Sequence, residues 1–245
     1  MIKTYRVMLK PNNKQKTKLF ECAGVARWAY NWSLVKQQEN YKNGGKFLND
    51  GVLRKEFTQL KKLKEYEWLN DYSNNITKQA IKDSCNAYKR FFEGYSNFPK
   101  FKSKKKSKPS FYVDISKIQF IGTHVKLEKL TTSRKKNKQQ FNWIRLCEHD
   151  RIPYGRGTKY INPRVTFDGL NWWISVSIEY PDSNAIPTNE GMGIDLGIGK
   201  LAVCSDGNIF KNINKNKKIK KLEKRKKRLQ RKVSKKYEIG RERNR

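Results

Sequence analysis

The sequence predicts a mixed α+β fold with three consecutive regions. Residues 11–95 contain three runs of apolar side chains at helical spacing, the pattern of amphipathic helices that share one core. Between 110 and 180 the pattern changes to short alternating runs separated by proline and Asp-Gly, which is typical of a small barrel or sandwich. A glycine-rich strand-turn-strand sequence and a very basic helical stretch follow.

The balance of charge predicts a polyanionic partner. The 245 residues include 56 Lys and Arg against 22 Asp and Glu, a net charge of +34. A compact chain with this charge repels itself unless polyanions neutralise it, so RNA or DNA is the expected partner. The aromatic residues (6 Trp, 12 Tyr and 12 Phe) are interspersed among the charges. This argues against a disordered basic tail and makes a merely basic soluble protein the weaker alternative.

Cysteine and histidine usage indicates neither a metal site nor a disulfide framework. The four cysteines are scattered without close pairs, at positions 22, 85, 147 and 204. Cys22 and Cys85 fall at apolar helix positions, so we interpret them as buried thiols. His124 and His149 have no partners at metal-ligand spacing, and we interpret both as surface or RNA-facing residues. With no signal peptide or membrane span in the sequence, we expect a reducing, cytoplasmic and nucleoid-associated location and no membrane partner.

The N-terminal residues predict one strand and a long helix. Residues 2–9 alternate and stop at Pro11, as a single strand does. Asn12 and Gln15 have the spacing of a helix capping box. The apolar face of the helix that follows comprises Leu19, Cys22, Ala23, Ala26, Tyr30 and Leu34.

Two more helices are expected before residue 96. The second covers roughly 50–63, with a stripe of Leu53, Phe57 and Leu60. Ser73 or Asn74 would cap the third, over residues 75–95. Its inward face would comprise Ile76, Ala80, Ile81, Cys85, Tyr88, Phe91 and Phe92. We interpret the aromatic residues of this stripe as core packing rather than as a platform for stacking bases.

Residues 96–109 form a basic linker. Phe98 and Phe101 flank Pro99, so we expect the first part to be docked and only the lysine run after it to be loose. We favour a loop that contacts phosphate over a loop without a binding role. Its affinity for nucleic acid would then fall steeply as salt rises. The candidate phosphate contacts of this region are Arg27, Lys100, Lys102 and Lys104.

The region that follows contains six candidate strands. They cover residues 111–113, 118–121, 124–127, 141–146, 164–167 and 172–178. Asp168-Gly169 is a predicted turn, and Pro153, Pro163 and Pro181 separate the runs.

The segment 191–207 predicts a hairpin around a single acid. Apolar residues alternate with glycines up to Gly199, and Asp206-Gly207 is a strong hairpin signal. Asp195 lies near the end of a strand that is expected to be buried. A buried carboxylate is costly unless a positive group holds it, and a metal ion is the usual solution.

The last residues predict a basic helix over 216–237. Its apolar face would comprise Ile219, Leu222, Leu229, Val233 and Tyr237. Residues 205–245 contain 18 basic and four acidic residues, so the helix must pack on something or lie on a polyanion. A coiled coil is disfavoured because its flanking positions would nearly all be positive. Further candidate phosphate contacts are Lys200, Arg225, Arg228 and Arg231.

Seven features in this order resemble TnpB, also called OrfB, the insertion-sequence proteins related to type V CRISPR effectors. They are Tyr5 to Pro11 with Gln15, and the segments 27–34, 87–92, 98–104, 172–176, 193–197 and 222–235. Their order and spacing agree along essentially the whole chain. One of these motifs alone would be weak, whereas seven in sequence are specific.

The resemblance implies an architecture with four parts. Residues 1–10 and 96–185 would form an oligonucleotide-binding-like β-barrel, the wedge domain. Residues 11–95 would form a helical, helix-turn-helix-like recognition lobe inserted into that barrel. Residues 188–245 would begin a RuvC-type nuclease domain of the ribonuclease H fold, with its first strands and a basic helix.

The resemblance also implies a function, that of a transposon-encoded RNA-guided DNA endonuclease. Its partners would be a guide RNA and double-stranded DNA beside a short transposon-adjacent motif, with base pairing reading the rest. Asp195 would be the first catalytic carboxylate and a Mg²⁺ ligand. Asn and Gln can pair with adenine edges, although capping explains Asn75 equally well. The candidates for reading the DNA motif are Tyr41, Asn75, Lys78 and Gln79.

One departure from the family concerns the nuclease site. Two-metal cleavage needs several carboxylates that hold ions about 3.5–4 Å apart, and the family's second acid, zinc ribbon and last acid follow the stretch found here. None of the local acids suits the missing positions; they are Glu190, Asp206, Glu223 and Glu238. We therefore expect the N-terminal part of a longer protein, without the family's zinc and inactive as a nuclease alone.

Two alternatives belong to other functional classes. A non-cleaving DNA-binding repressor derived from the same family would keep the helices and basic loops, although a dead enzyme has no use for Asp195. A sugar-kinase or actin-like ATPase also contains Gly-x-Asp-x-Gly. In those proteins small hydroxyl residues follow, whereas residues 198–201 here are Ile-Gly-Lys-Leu, and the positive charge fits ATP poorly.

Overall fold

The computed structural model describes residues 1–133, 135–155, 157–181 and 191–242. The chain forms two compact units, Met1–Ser183 and Asn184–Arg245, called unit 1 and unit 2 below. The predicted boundary at 185–188 and Glu190 lie outside the described residues, as do the side chains of Tyr237 and Glu238. No helix among the described residues is long and apolar enough to span a membrane.

Unit 1 combines helices with a seven-stranded antiparallel sheet, which confirms the mixed α+β prediction. The helices are α1 (Asn13–Lys42), α2 (Asp50–Leu60), α3 (Asn74–Phe92) and a short α4 (Lys136–Gln139), with a 3-10 helix at Lys64–Asp71. The strands are β1 (Ile2–Lys10), β2 (Ser110–Tyr112), β3 (Gln119–Ile121), β4 (His124–Lys126), β5 (Trp143–Leu146), β6 (Tyr160–Phe167) and β7 (Trp172–Glu179). Their order in the sheet is β2-β6-β7-β1-β5-β4-β3.

The first strand of the chain lies in the middle of this sheet. It pairs with β7 from Ile2↔Glu179 to Leu9↔Trp172 and with β5 at Leu9↔Leu146. The three long helices therefore interrupt the sheet in the sequence, between β1 and β2. The sheet also curls, because the rings of Phe120 in edge strand β3 and Tyr160 in β6 lie 5.0 Å apart.

The start of α1 is fixed to the sheet by Gln15. The predicted capping box is present: Asn12 Oδ1 accepts from Gln15 N at 2.9 Å, and Gln15 Oε1 accepts from Asn12 N at 3.0 Å. The buried Gln15 amide also donates to the carbonyl oxygens of Phe141 at 3.0 Å and Trp143 at 2.9 Å. One side chain thus caps the helix and sets its position against β5.

Replacing this side chain is expected to destabilise the fold. Gln15→Ala removes half of the capping box and leaves two partly buried carbonyl groups without this donor, so we expect the free energy of unfolding to fall by about 1–3 kcal/mol. Urea titration monitored by circular dichroism measures the change. Thr17→Ala, on an exposed position of the same turn, is the control and should change stability by less than about 0.5 kcal/mol. An equal loss in both variants would contradict the assigned role.

The helical faces agree with the predicted stripes, with one exception. Each predicted core residue of α1 is buried, and so are Leu53 and Phe57 of α2. Burial raises the pKa of the Cys22 thiol to about 12, as expected for an inert core cysteine. The prediction that Phe92 faces inward is wrong, because its side chain is 63% exposed. The helix ends at this residue, and Gly94, at φ +78°, turns the chain away.

Unit 2 contains a three-stranded antiparallel sheet and one long helix. Its elements are β8 (Ile194–Leu196), β9 (Lys200–Cys204), β10 (Ile209–Lys211), a 3-10 helix at Ile213–Lys215 and α5 (Lys217–Glu242). The predicted turn at Asp206-Gly207 joins β9 and β10, with Gly207 at φ +85°. The expected burial of the Asp195 strand is wrong, because every residue of β8 is exposed. Three short strands form too small a sheet to bury either face.

Candidate nucleic-acid interface

A basic groove runs along one side of α1. It has a volume of about 750 Å³ and is called the Arg27 groove below. Its cationic lining comprises Arg27, Lys104, Lys105, Lys106 and Lys108, and its aromatic lining comprises Phe20 and Phe167.

The two acids in the Arg27 groove are already engaged. Asp168 accepts from the backbone N–H groups of Asn171 and Leu170 and from Trp173 Nε1. These bonds lower the pKa of Asp168 to about 2. Glu21 accepts from Lys18 at 2.6 Å and from the Tyr72 hydroxyl at 3.0 Å. The lysines and Arg27 consequently give the groove a net positive charge.

The start of the basic linker is docked on α1, as the sequence predicts. The Asn31 side chain accepts from Lys102 N and donates to Lys102 O, both at 2.8 Å. The Lys102 ammonium lies 3.8 Å from the centroid of the Tyr30 ring, within the range of a cation–π contact. Burial of this ammonium lowers the pKa of Lys102. Lys102 is therefore an anchor of the linker, and its contact with phosphate stays a prediction.

The lysine run that follows is a turn rather than the predicted loose segment. Ser107 N donates to Ser103 O at 3.0 Å, and the two serine hydroxyls accept from Ser103 N and Lys106 N at 3.1 Å. Serine side chains often bond to nearby backbone groups in this way. The spacing of the two serines was the available sequence signal. The turn holds Lys104, Lys105 and Lys106 beside Arg27, while Lys100 is exposed nearer the start of the linker.

A second basic groove adjoins the Arg27 groove along the start of α1, and Thr17 and Glu21 line both. It has a volume of about 980 Å³ and is called the strand groove below. Its lining includes Lys10, Lys14, Lys18, Lys129, Lys138, Arg145, His124, Phe141 and Trp143. Because Lys10 lies opposite Arg145, and Arg145 opposite His124, three neighbouring strands place these basic residues in one row. Lys10 and Arg145 are like charges directly opposite each other, which destabilises a sheet, so this pair favours a polyanionic ligand.

The structure does not bring the four motif-reading candidates together. Asn75, Lys78 and Gln79 lie at the start of α3, whereas Tyr41 lies near Phe91 at its other end. At 1.5 Å per residue these ends are about 24 Å apart. Tyr41 therefore belongs to a separate surface.

Two of the three remaining candidates have protein partners. Ser73 caps α3, and Asn75 Nδ2 lies 3.4 Å from Glu128 Oε2. Gln79 donates to Asp83 Oδ1 at 2.8 Å, and Asp83 forms a bidentate ion pair with Arg164 of β6 at 2.8 and 2.9 Å. This ion pair connects α3 to the sheet. To read a base, Asn75 and Gln79 would have to break these contacts and form hydrogen bonds with the base instead.

Lys78 belongs to a cluster of three lysines. Burial lowers the pKa of Lys61, and the nearby charges of Lys129 and Lys78 lower it further. Lys61 contacts the Asn74 side chain, and Lys129 donates to Asn70 O at 3.1 Å. Concentrated positive charge of this kind suits a phosphate group. The three lysines are far apart in the chain, so the sequence alone does not reveal this cluster.

The candidate residues of unit 2 are exposed. Asp195 pairs with Val203 in the sheet, and Lys200 begins β9. Gly197 forms the tight turn between them, where an added Cβ would lie 3.0 Å from Lys200 O. On α5 the side chains of Leu222, Leu229 and Val233 form an exposed seam. Arg225 lies beside this seam, and Arg228 and Arg231 lie on other faces of the helix at 100° per residue.

The carboxylates of unit 2 do not by themselves fit a two-metal centre. Asp206 accepts from the backbone N–H and side-chain amide of Asn208, at 3.0 and 2.7 Å, and so stabilises its own turn. Asp195 is the exposed acid of β8. Among the described residues, no group of three or more His, Cys, Asp or Glu is arranged to hold a metal ion.

Two family models match the chain at its ends. Residues 1–46 match the helix-turn-helix domain of OrfB from IS605-type elements, and residues 174–245 match the OrfB model described as "Probable transposase". Both models describe OrfB proteins of IS605-type elements, so the chain is similar to that family in these two segments. This agrees with the resemblance found in the seven sequence features.

Similar proteins include two curated relatives and one solved structure. The chain is 28% identical to "Putative RNA-guided DNA endonuclease InsQ" of Escherichia coli (strain K12) over 97% of its own length and 55% of that protein's. It is 24% identical to "Putative RNA-guided DNA endonuclease" of Streptomyces pristinaespiralis over 86% and 50%, so it spans about half the length of these relatives. A chain of a Cas12f1–sgRNA–target DNA complex is 14% identical, with a TM-score of 0.37, over 97% of this chain and 68% of that one.

Proposed function

We propose that this OrfB-like chain holds guide RNA and target DNA as part of an RNA-guided DNA endonuclease. The observation that carries the proposal is the pair of adjoining cationic grooves along α1. Lys10 and Arg145, which lie directly opposite each other, are like charges that a bound polyanion would neutralise. The names of the two curated relatives agree with this function.

Within this proposal the sheet of unit 1 is the wedge barrel and helices α1–α3 are the recognition lobe. Support comes from the central position of β1 and from the approach of Phe120 to Tyr160 across the curled sheet. Unit 2 is the first part of the RuvC-like nuclease domain, and its order of three antiparallel strands before a helix supports this assignment. Asp195 is then the first carboxylate of the nuclease site and a ligand of Mg²⁺, which would stabilise charge on the cleaved phosphodiester.

The basic residues divide between phosphate contact and anchoring. In the proposal Arg27, Lys100 and Lys104 contact phosphates beside α1, and Lys78 does so together with Lys61 and Lys129. The remaining phosphate contacts are Lys200, Arg225, Arg228 and Arg231. Asn75 and Gln79 read the DNA motif only after exchanging their contacts with Glu128 and Asp83.

Filter binding with the purified chain tests this function. The probes are RNA transcribed from the transposon end that carries this gene, a scrambled RNA of equal length and double-stranded DNA. We expect tighter binding of the transposon RNA and a steep decrease in affinity as salt rises, because phosphate contacts release counterions. Equal affinity for the two RNAs would contradict the guided function, and no binding at low salt would contradict nucleic-acid binding itself.

Asp195 is expected to be dispensable for nucleic-acid binding. Asp195→Ala changes an exposed side chain, so RNA affinity should stay within about 2-fold, the usual range for such surface changes. With its nuclease carboxylate exposed on a three-stranded sheet, the 245-residue chain should not cleave DNA in the presence of Mg²⁺. Gel assays of DNA cleavage with the unaltered chain and with Asp195→Asn check this. Strong Mg²⁺-dependent cleavage that either Asp195 variant abolishes would overturn the expectation.

A further inference from the structure

The C-terminal ends of α1 and α3 enclose an aromatic pocket of about 330 Å³. Phe47 and Phe92 meet edge to face at 5.8 Å, and Phe98 meets Tyr88 in the same way at 5.5 Å. The volume lies within the range of about 300–1,000 Å³ that is usual for small-molecule sites. The pocket differs from both basic grooves, because its walls are largely aromatic.

Several of these rings are open to solvent. Phe92 is 63% exposed and Tyr41 is 81% exposed, and both line the pocket. Core packing does not account for aromatic faces that remain accessible, whereas contiguous exposed aromatic patches usually mark binding surfaces. The stripe on α3 thus has two parts, a buried one toward its start and an open one at its end.

The pocket also contains polar groups. The Tyr88 side chain is buried, and its hydroxyl has no partner at hydrogen-bonding geometry in the part of the chain described here. The Gln38 amide lies beside it and also lines the pocket. Burial raises the pKa of Tyr88, so its hydroxyl remains a proton donor. An apolar ligand would leave these polar groups without a partner. A flat ring with a polar edge would stack on the aromatic side chains and also form hydrogen bonds with the polar groups.

The charge around the pocket favours a nucleic acid over a second copy of the chain. Lys46 is the charged residue of its lining. Lys42, Lys89 and Arg90 lie on the adjoining turns of α1 and α3 and are exposed. In a dimer that joined two pockets, these basic residues would repel those of the second copy. The phosphates on either side of a bound base would instead neutralise them.

We propose that the aromatic pocket binds an unpaired nucleobase of a single-stranded nucleic acid. Phe92 and Tyr41 provide the stacking faces, and the Gln38 amide, which lies beside the buried Tyr88 hydroxyl, contacts the polar edge of the base. Stacking of unpaired bases on aromatic side chains is how proteins commonly hold single strands. The inference rests on the proposed function only in requiring a nucleic acid as the partner.

Binding of oligouridylate tests the proposal. The probes are single-stranded oligouridylate RNA and oligothymidylate DNA of about 20 nucleotides, which distinguish RNA from DNA, and the duplex of oligouridylate with oligoadenylate. We expect Phe92→Leu to weaken binding of at least one single strand by about 5- to 100-fold and to leave duplex binding unchanged, because paired bases cannot enter the pocket. Phe92→Trp should keep full affinity. Tyr41→Leu, at a position too exposed to affect folding, should weaken single-strand binding in the same direction.

Two further measurements separate the possible outcomes. Tyr154→Leu, at an exposed aromatic residue outside the grooves and the pocket, is the matched control and should bind like the unaltered chain. Unchanged single-strand binding by Phe92→Leu and Tyr41→Leu, with intact binding by the unaltered chain, overturns the pocket proposal alone. The pocket proposal is also overturned if the variants abolish self-association in sedimentation experiments and leave single-strand binding unchanged. If the unaltered chain binds none of the probes, the proposed function fails as well.

Discussion

Replacing Lys104, Lys105 and Lys106 of the basic turn and the adjoining Lys108 by Gln is expected to weaken RNA and DNA binding by about 100-fold or more. Each charged contact with a phosphate is worth roughly 1 kcal/mol or more, and each tenfold change in affinity takes about 1.4 kcal/mol. The turn and the residue that follows it place these four lysines in the lining of the Arg27 groove. Their loss should act on all nucleic-acid sequences alike, because phosphate contacts carry no sequence information.

The salt dependence of binding distinguishes direct contact from a general effect of charge. Log affinity decreases as log salt increases. If each lysine contacts one phosphate, the variant should show a slope that is less negative by about 4. A matched control replaces Lys55, Lys62, Lys64 and Lys117, which are exposed and lie outside both grooves. This variant has the same net charge. If the slope becomes less negative by the same amount in both variants, total charge, and not the turn, determines affinity.

Local signals in the sequence were sufficient where the interaction is local. Asn12 and Gln15 are three residues apart, and Asp206-Gly207 encodes its own turn, so both features are present as predicted. Alternation defined β7 equally well, because inward and outward side chains alternate along a strand. The face of α1 followed from the 3.6-residue period.

Features that depend on pairing between distant segments could not be predicted. The row of Lys10, Arg145 and His124 exists only because β1 pairs with β5, and β5 with β4, in one particular register. A shift by one residue would move Arg145 to the other face of the sheet. The basic residues of the strand groove therefore looked like ordinary surface charges in the sequence.

The burial of Asp195 was predicted wrongly for a different reason. Alternating apolar residues indicate which side of a strand prefers a core, but they do not supply the layer that covers it. In unit 2 the side chains of Ile194 and Leu196 are 57% and 76% exposed. The same pattern in β7 is covered, because β7 lies within a seven-stranded sheet that packs against helices.

Trp172→Ala is expected to cause the largest loss of stability, about 3–5 kcal/mol, which is typical of emptying a tryptophan site in a core. Trp172 is 2% exposed and lies in β7 opposite Leu9 of the central strand. Its ring centroid lies 4.9 Å from that of Phe20 and 5.1 Å from that of Phe167. Those two residues line the Arg27 groove. The substitution should therefore lower the free energy of unfolding and also displace one wall of the binding surface.

Trp172→Phe separates the role of volume from that of the indole nitrogen. Within the described part of the chain, the buried Nε1 has no hydrogen-bond partner. Phe therefore sacrifices no hydrogen bond and should cost less than about 1.5 kcal/mol, as smaller changes in core shape usually do. Urea unfolding of both variants measures the two free energies of unfolding. RNA affinity at low salt shows whether the wall of the Arg27 groove is intact. If Trp172→Phe is as unstable as Trp172→Ala, the indole nitrogen has a partner in solution, and the wall of the groove depends on that polar contact rather than on aromatic packing.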